Sequence, residues 1–490
     1  MKNIISIISL ASVLTMASCS KDFIERVPFS TATVDLVYKT DKDYLDATIG
    51  AYSALRPVYN NMFLYGDVRG DDAKIDVTNK PSSTGSDLFT TNSSDGLITN
   101  TWSNYYVIIR RVNTILDNIA DADPSVVKNK DRYIGEAKFI RALAYFDLVR
   151  IFGDVQMFTT APTIDEAMKA IRTPAATIYS TVIIPDLIDA ASKLTVTVPS
   201  AEVGRATKGA AIALLGKAYL YTKDFVKAES TFAQLMAPPY TYVLLTNWND
   251  LWDYTKNEHH SEYIFDIEYE TALGGQGSPF TSAFMPNVGK LLTYYGVVGF
   301  DEAMTVTPDF ASAWAAGDKR KDKSIHVFGR NSEGQVVWVN PTTGEEVLVP
   351  ANTSQSFTMK YLAAAGLSND SPANWKVIRF ADVVLMYAEA LNENGKTGEA
   401  LVQLNRIRTR AGLADASGGQ DAVRDAIAQE RRFELAFEGH RWFDLVRTGK
   451  ALATMAGNGM KPGMEVFPVP LTQIQTINDP AIFKQNPGYD

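Results

Sequence analysis

The chain has 490 residues, 46% hydrophobic and 21% charged, ordinary proportions for a folded body of one large domain or two to three average ones. Its formal net charge of −9 argues against a nucleic-acid groove and against direct adhesion to anionic lipid. A single cysteine excludes an internal disulfide and a cysteine-based metal site.

Met1-Lys2-Asn3 is followed by an apolar run from Ile4 to Met16, broken only by Ser and Thr. Crossing a bilayer core needs about 20 such residues, so the run is too short to span and reads as the core of a secretory signal. Small residues Ala17 and Ser18 then precede Cys19, giving a signal peptide over residues 1–18. The order Met16-Ala17-Ser18-Cys19 resembles the lipobox of bacterial lipoproteins, with Met in place of the usual Leu. That resemblance implies cleavage before Cys19 and acyl chains on its thiol. Two or more chains anchor stably where one is marginal. Ser20-Lys21-Asp22 resembles the short charged tags that send some lipoproteins to the cell surface. No other stretch approaches a transmembrane length.

Helical periodicity marks Tyr44 to Leu55 and Trp102 to Ile119, and is clearest in Tyr133 to Phe152. There Ala137, Arg141 and Tyr145 share a face at i, i+4 spacing, and Gly153 follows as a C-cap glycine. Ile178 to Leu194 reads as a further helix. Thr207 to Met236 carries Leu215-Gly216, Tyr219, Phe225, Ala228 and Phe232, a spacing that resembles a tetratricopeptide (TPR) helix pair. Phe380 to Ala411 repeats it with Tyr387, Ala388, Leu391, Ala400 and Leu404, turning at Gly395. The copies are far apart, so they read as scattered pairs and not as a continuous solenoid. Asn79 to Asn100 reads as a polar surface loop. Tyr240 to Trp375 is rich in Gly, Pro, Ser and Asn, with a β-hairpin over Gln335 to Val349. A long irregular region inside a compact protein is usually functional.

The chemistry of catalysis is not visible. The four histidines, His259, His260, His326 and His440, have no metal-ligand spacing. Glu434, Glu438 and His440 lie in "ERRFELAFEGHRWFDLVRTGK", which reads as a helix with Phe433 and Phe437 in the core and its charges in structural pairs. "NGKT" at Asn394 to Thr397 imitates the end of a P-loop, but the first glycine would fall at Ala390. No nucleophile elbow occurs. The motif search therefore gives no positive evidence for an enzyme, and the sequence calls for no cofactor and no metal.

Several segments together resemble the SusD/RagB family of outer-membrane nutrient-binding lipoproteins. These are "CSKDFIERVP" from Cys19, "EAKFIRALAYFDLVRIFGDV" from Glu136, "RFADVVLMYAEALNENG" from Arg379, "LNRIRTRAGL" from Leu404, the Glu430 to Lys450 segment, and "QNPGY" from Gln485. The resemblance implies a mostly α fold: a single SusD-like domain over 19–490, with TPR-like helix pairs mainly in 44–236 and 376–450. These would pack against a loop-rich half, about 240–375, containing small β-hairpins. It implies a non-catalytic, lipid-anchored outer-membrane protein, facing outward, that captures oligosaccharides and passes them to a SusC-like TonB-dependent transporter. Peptide capture in the manner of RagB, a surface glycoside hydrolase and a TPR-type protein binder are the alternative readings.

A sugar site needs flat aromatic faces and a few planar hydrogen-bonding groups. Tyr65 to Lys74 offers Arg69, Asp71 and Asp72 on a Gly-flanked loop. Thr101 to Tyr106 offers Trp102 and Asn104, with core packing the competing use of Trp102. The irregular region adds Tyr294 and Tyr295, and Trp314 beyond them. Adjacent aromatics on an extended segment face opposite ways, so one of the tyrosines should point outward. Asp and backbone oxygens here are compatible with a calcium ion, but no calcium-loop spacing is present.

Overall fold

The computed structural model describes residues 37–75, 85–256, 258–479 and 482–489; the signal segment and Cys19 lie outside them. Helix α1 (Asp41–Ser53) starts from a Thr40–Asp43 capping box. Helix α2 (Gly96–Ile119) starts where the Asp95 carboxylate accepts from the Leu97 N–H, so residues 96–100 are helical and not loop. Helix α3 (Lys130–Phe152) ends at Gly153, with φ 72°. The short α4 (Ile164–Lys169) has its own Thr163–Glu166 capping box and buries no residue. Then come α5 (Ile184–Lys193), α6 (Lys208–Tyr221) and α7 (Phe225–Ala233). The loop-rich half contributes α8 (Gly289–Tyr295). The chain returns to helices with α9 (Phe380–Glu393), α10 (Thr397–Ala411), α11 (Gln420–Glu434), α12 (Arg441–Arg447) and α13 (Leu471–Ile477).

These helices form one array and not scattered pairs. α2 packs on α3, α3 on α5, α5 on α6, α6 on α7, α7 on α9, and α9 on both α10 and α11. The α7–α9 contact is the one that distance along the chain concealed. It is fastened by Asn394, which donates to the Phe225 carbonyl, and by Lys396 on Glu229 at 2.6 Å. Small residues set the approach of α6 and α7: a Cβ on Gly216 would lie 2.4 Å from the Phe232 ring. α6 is apolar nearly all round and buried along almost its whole length, as such a helix must be.

The loop-rich half leaves and rejoins the array through one antiparallel pair, Tyr263–Ile267 against Trp375–Arg379. Arg379 leads straight into α9, and the Phe380 N–H donates to the Glu262 carbonyl at 2.8 Å. The expected hairpin pairs Val336–Val339 with Glu346–Leu348, and Gly329–Arg330 adds a third strand. Ile325–Val327 pairs with Ser356–Thr358 beside it. Under these strands lies a second hydrophobic cluster, Met285, Val288, Leu291, Val297, Phe328, Trp338 and Phe357, separate from the main core.

Candidate ligand-binding site

α8 ends at Gly296 in the left-handed region, φ 65°. Tyr294 and Tyr295 therefore sit on the last turn of a short helix and not on the extended segment expected from the sequence. The outcome for exposure is the same: Tyr294 is 40% exposed and Tyr295 half-buried. Their rings meet edge to face at 4.9 Å, and Tyr294 leans edgewise on the buried Trp338 at 5.5 Å. The Tyr294 hydroxyl lies 3.3 Å from the Thr342 hydroxyl at the hairpin tip.

The chain then presents Val298, between Gly296 and Gly299, and Phe300 just after them, 49% and 46% exposed; both glycines have positive φ. The segment is held from behind. Val298 donates to the Ala365 carbonyl, and Ala365 to that of Gly296. The buried Glu302 carboxylate accepts from the Asn287 N–H at 2.8 Å and the Ser354 N–H at 2.9 Å. The result is an aromatic ledge of Tyr294 and Tyr295, followed along the chain by the exposed Phe300, with hydroxyl, amide and charged groups at Thr342, Asn340 and the ion-paired Lys290 and Glu345 near the tyrosines. Sequence reading missed Phe300 and Thr342. Two glycines bracketing an apolar "VV" in an irregular stretch were the signal for Phe300.

The Arg69–Asp72 turn has a different use. The Ala73–Lys74 strand after it pairs with Thr305–Val306, which ties the turn to the chain just past the ledge. Asp71 takes a two-pronged grip from Arg441, at 2.6 and 2.9 Å, and a third bond from Arg432 at 3.0 Å. Asp72 is buried against Arg432 at 2.7 Å. Burial raises the Asp71 carboxyl, but Arg441 and Arg432 outweigh it and hold it low; for Asp72 burial wins and lifts it to about 6. Arg69 is fully buried. Its guanidinium lies 4.0 Å from the Phe467 ring centre and 4.3 Å from that of Phe89, and donates to the Met464 carbonyl and the Tyr489 hydroxyl. Arg69 and Asp72 are thus buried and engaged with the protein itself, and the partly exposed Asp71 is held by two arginines. The flanking glycines serve close packing: a Cβ on Gly70 would lie 2.9 Å from the Arg441 side chain.

Trp102 is 1% exposed and packs edgewise on Phe152 and Phe483, so core packing is its use. Asn104 is half-buried on the same helix. Trp314 is buried against Phe310 and Phe433. Neither tryptophan joins the tyrosine ledge.

The model of the SusD family matches residues 301–480, and a SusD-like model described as starch-binding and associating with the outer membrane matches residues 22–220. The chain belongs to the SusD family. SusD-like protein P38 of Formosa agariphila is 28% identical over an alignment of 522 positions, spanning 100% of this chain and 99% of its own. SusD-like protein P2 of the same organism is 28% identical, spanning 97% of this chain and 98% of its own. A solved structure described as a laminarin-binding SusD-like protein superposes with a TM-score of 0.79 at 28% identity, covering 92% of this chain and 100% of that one. Among the described residues, no helix of this SusD-family chain is long and apolar enough to cross a membrane.

The acidic pair at the end of α11 and in the turn after it is placed among buried cations. Glu434 and Glu438 are buried among Arg379, Arg410, Arg320 and Lys360. Arg379 contacts Glu434 at 2.6 Å and Glu438 at 2.7 Å, Arg410 contacts Glu434 at 2.6 Å, and Lys360 contacts Glu438 at 2.7 Å. Burial raises Glu434, but Arg410, Arg379 and Arg320 more than reverse it and hold it well below the carboxylate range. Burial brings Lys360 down to about 8 against the pull of Glu438. His440 is buried beside Lys217, its Nδ1 3.4 Å from Nζ, and burial pushes it down to about 3. Each of these groups has a polar partner inside the protein, and the partners come from both halves. The network bolts the loop-rich half to the helices. No three His, Cys, Asp or Glu side chains among the described residues are gathered as metal ligands.

Proposed function

We propose that this chain is a surface-exposed outer-membrane lipoprotein that binds oligosaccharides and delivers them, without catalysis, to a SusC-like TonB-dependent transporter. The observation that carries the binding role is the ledge. Tyr294 on the last turn of α8 and Phe300 on the backed loop after it leave aromatic surface exposed to solvent, which is what the weakly apolar face of a sugar ring needs. The laminarin-binding relative supports a glycan as the ligand class. Family membership and the lipobox at Cys19 support the anchor and the transporter partner, with the mature chain starting at Cys19.

Titration calorimetry of the mature protein against a glycan panel that includes laminarin tests the reading. Saturable binding is expected to weaken about tenfold in Tyr294→Ala, the scale of losing one aromatic anchor. Binding of peptides and of no glycan would replace the ligand class, and release of shortened sugars by the isolated protein would end the non-catalytic reading. Cys19→Ala should free the protein from membranes without unfolding it, and the wild-type chain should co-purify with a barrel transporter.

A further inference from the structure

Helices α2, α4 and α13 enclose a groove of about 560 Å³ on the helical half, built from none of the elements of the ledge. That size lies in the range of about 300–1,000 Å³ typical of small-molecule sites. Trp102, Ile109 and Phe158 form its floor, and Ile164, Met168 and Ile477 its walls.

α4 is the telling element. Its sequence, IDEAMK, places Ile164 and Met168 on one face at i, i+4, yet the helix buries no residue and Ile164 is 83% exposed. Its backbone is nonetheless pinned. Besides the capping box, the Gln156 side chain donates to the Ala167 carbonyl at 3.1 Å and to the Ala170 carbonyl at 2.8 Å. A pinned helix that holds an apolar face over an apolar groove is preorganised for an occupant.

The charge pattern narrows what that occupant is. In a chain of net charge −9, the one charged residue lining the groove is Arg110. Its guanidinium has no hydrogen bond or ion pair among the described residues. The other polar lining groups, such as Ser103, Thr163 and Thr476, are neutral. Trp102 shows the groove only a sliver of its ring, which suits an alkyl chain better than a stacked sugar. We propose that the groove binds a single-chain anionic amphiphile of the fatty-carboxylate class, the chain lying along Trp102 and α4 and the carboxylate resting on Arg110.

Calorimetry with octanoate, decanoate and dodecanoate, each below its micelle concentration, tests this. One-to-one binding should tighten about fourfold per added methylene. Arg110 is exposed, so Arg110→Gln should weaken dodecanoate about three- to fivefold while leaving decanol unchanged. Ile164→Glu should weaken both ligands with an unaltered melting curve, since that side chain is exposed. Tyr294→Ala should leave dodecanoate binding intact, which separates this site from the glycan reading. The proposal is overturned if no carboxylate saturates the protein, if neither groove substitution matters, or if Arg110→Gln weakens decanol equally. Binding of apolar acidic peptides without any fatty carboxylate would overturn it in favour of a protein-docking groove.

Discussion

The Arg69 guanidinium donates to the Tyr489 hydroxyl across 420 positions of sequence, with the Phe89 and Phe467 rings against its faces. The bond holds the closing QNPGY segment to the turn that precedes the Ala73–Lys74 strand. Removing the phenol oxygen leaves a buried cation short of an acceptor. Tyr489→Phe should cost about 1.5–3 kcal/mol, the range for hydrogen bonds to charged groups. Arg69→Lys should cost no less, because an ammonium cannot fill the stacked slot and reach both acceptors. Urea unfolding midpoints check both, and unchanged midpoints would refute the pin.

This relationship also explains what the sequence concealed. The helices were legible because their apolar spacing is local: α3 ends at Gly153 as read, and the Gln335 to Val349 hairpin pairs as expected. Arg69, Asp71 and Asp72 looked like open-loop ligands because their partners, Tyr489, Arg432 and Arg441, lie hundreds of positions away. No periodicity reports such pairings. Tyr294-Tyr295 read as extended because α8 is only seven residues long, too short to establish a helical period. The array was hidden for the same reason as the ion pairs: α7 and α9 touch across the whole loop-rich insertion.

Two glycines make a contrasting pair. A Cβ on Gly66 would stand 2.3 Å from the Gly439 carbonyl oxygen, backbone against backbone, where neither can yield cheaply. Gly66→Ala should destabilise by about 3 kcal/mol. Gly50 lies inside α1 with nothing within 4 Å of its added Cβ. Gly50→Ala should stabilise by about 1 kcal/mol, the helix-propensity difference. Melting temperatures of the two variants should move in opposite directions.

Glu434 is the shared partner of Arg320, Arg379 and Arg410. Glu434→Gln leaves three buried guanidiniums with one carboxylate fewer. Breaking a buried ionic group in this way costs about 3–5 kcal/mol. The loss should appear as a lower denaturation midpoint, while glycan affinity of the folded fraction stays unchanged because the residue is remote from the ledge. A variant as stable as wild type would show that the network does not join the two halves.

His440 gives a pH signature. It faces Lys217, Asp382, Arg431 and Asp444, and burial followed by Lys217 pushes it down to about 3. An unfolded histidine titrates near about 6.5. Above that pH both states are neutral. Below it the unfolded chain takes up a proton that the folded one refuses, so stability falls as pH drops from about 6.5 toward 3. His440→Gln should reduce this acid loss between pH 6.5 and 4.5. His260, also pushed down to about 3 by burial and by Lys376, keeps its own share, so the loss shrinks and does not vanish. Below that window Glu434 and Glu438, both held low, add their loss in either protein. Urea midpoints at pH 7, 5.5 and 4.5 read the difference, and identical slopes would contradict a neutral buried His440.

The ledge rests on its own small core, Leu291, Val297, Trp338 and Phe357, which shares no member with the large cluster that binds the helices together. Under the proposed function, what the molecule recognises and what keeps it folded are nearly independent traits. Changes on residues 290–300 and 336–349, which hold no member of the large cluster and none of its buried ion pairs, can alter this face while the helical array and its buried charges stay as they are. Selection can then retune a single scaffold to a new nutrient in small steps, without passing through sequences that cannot fold.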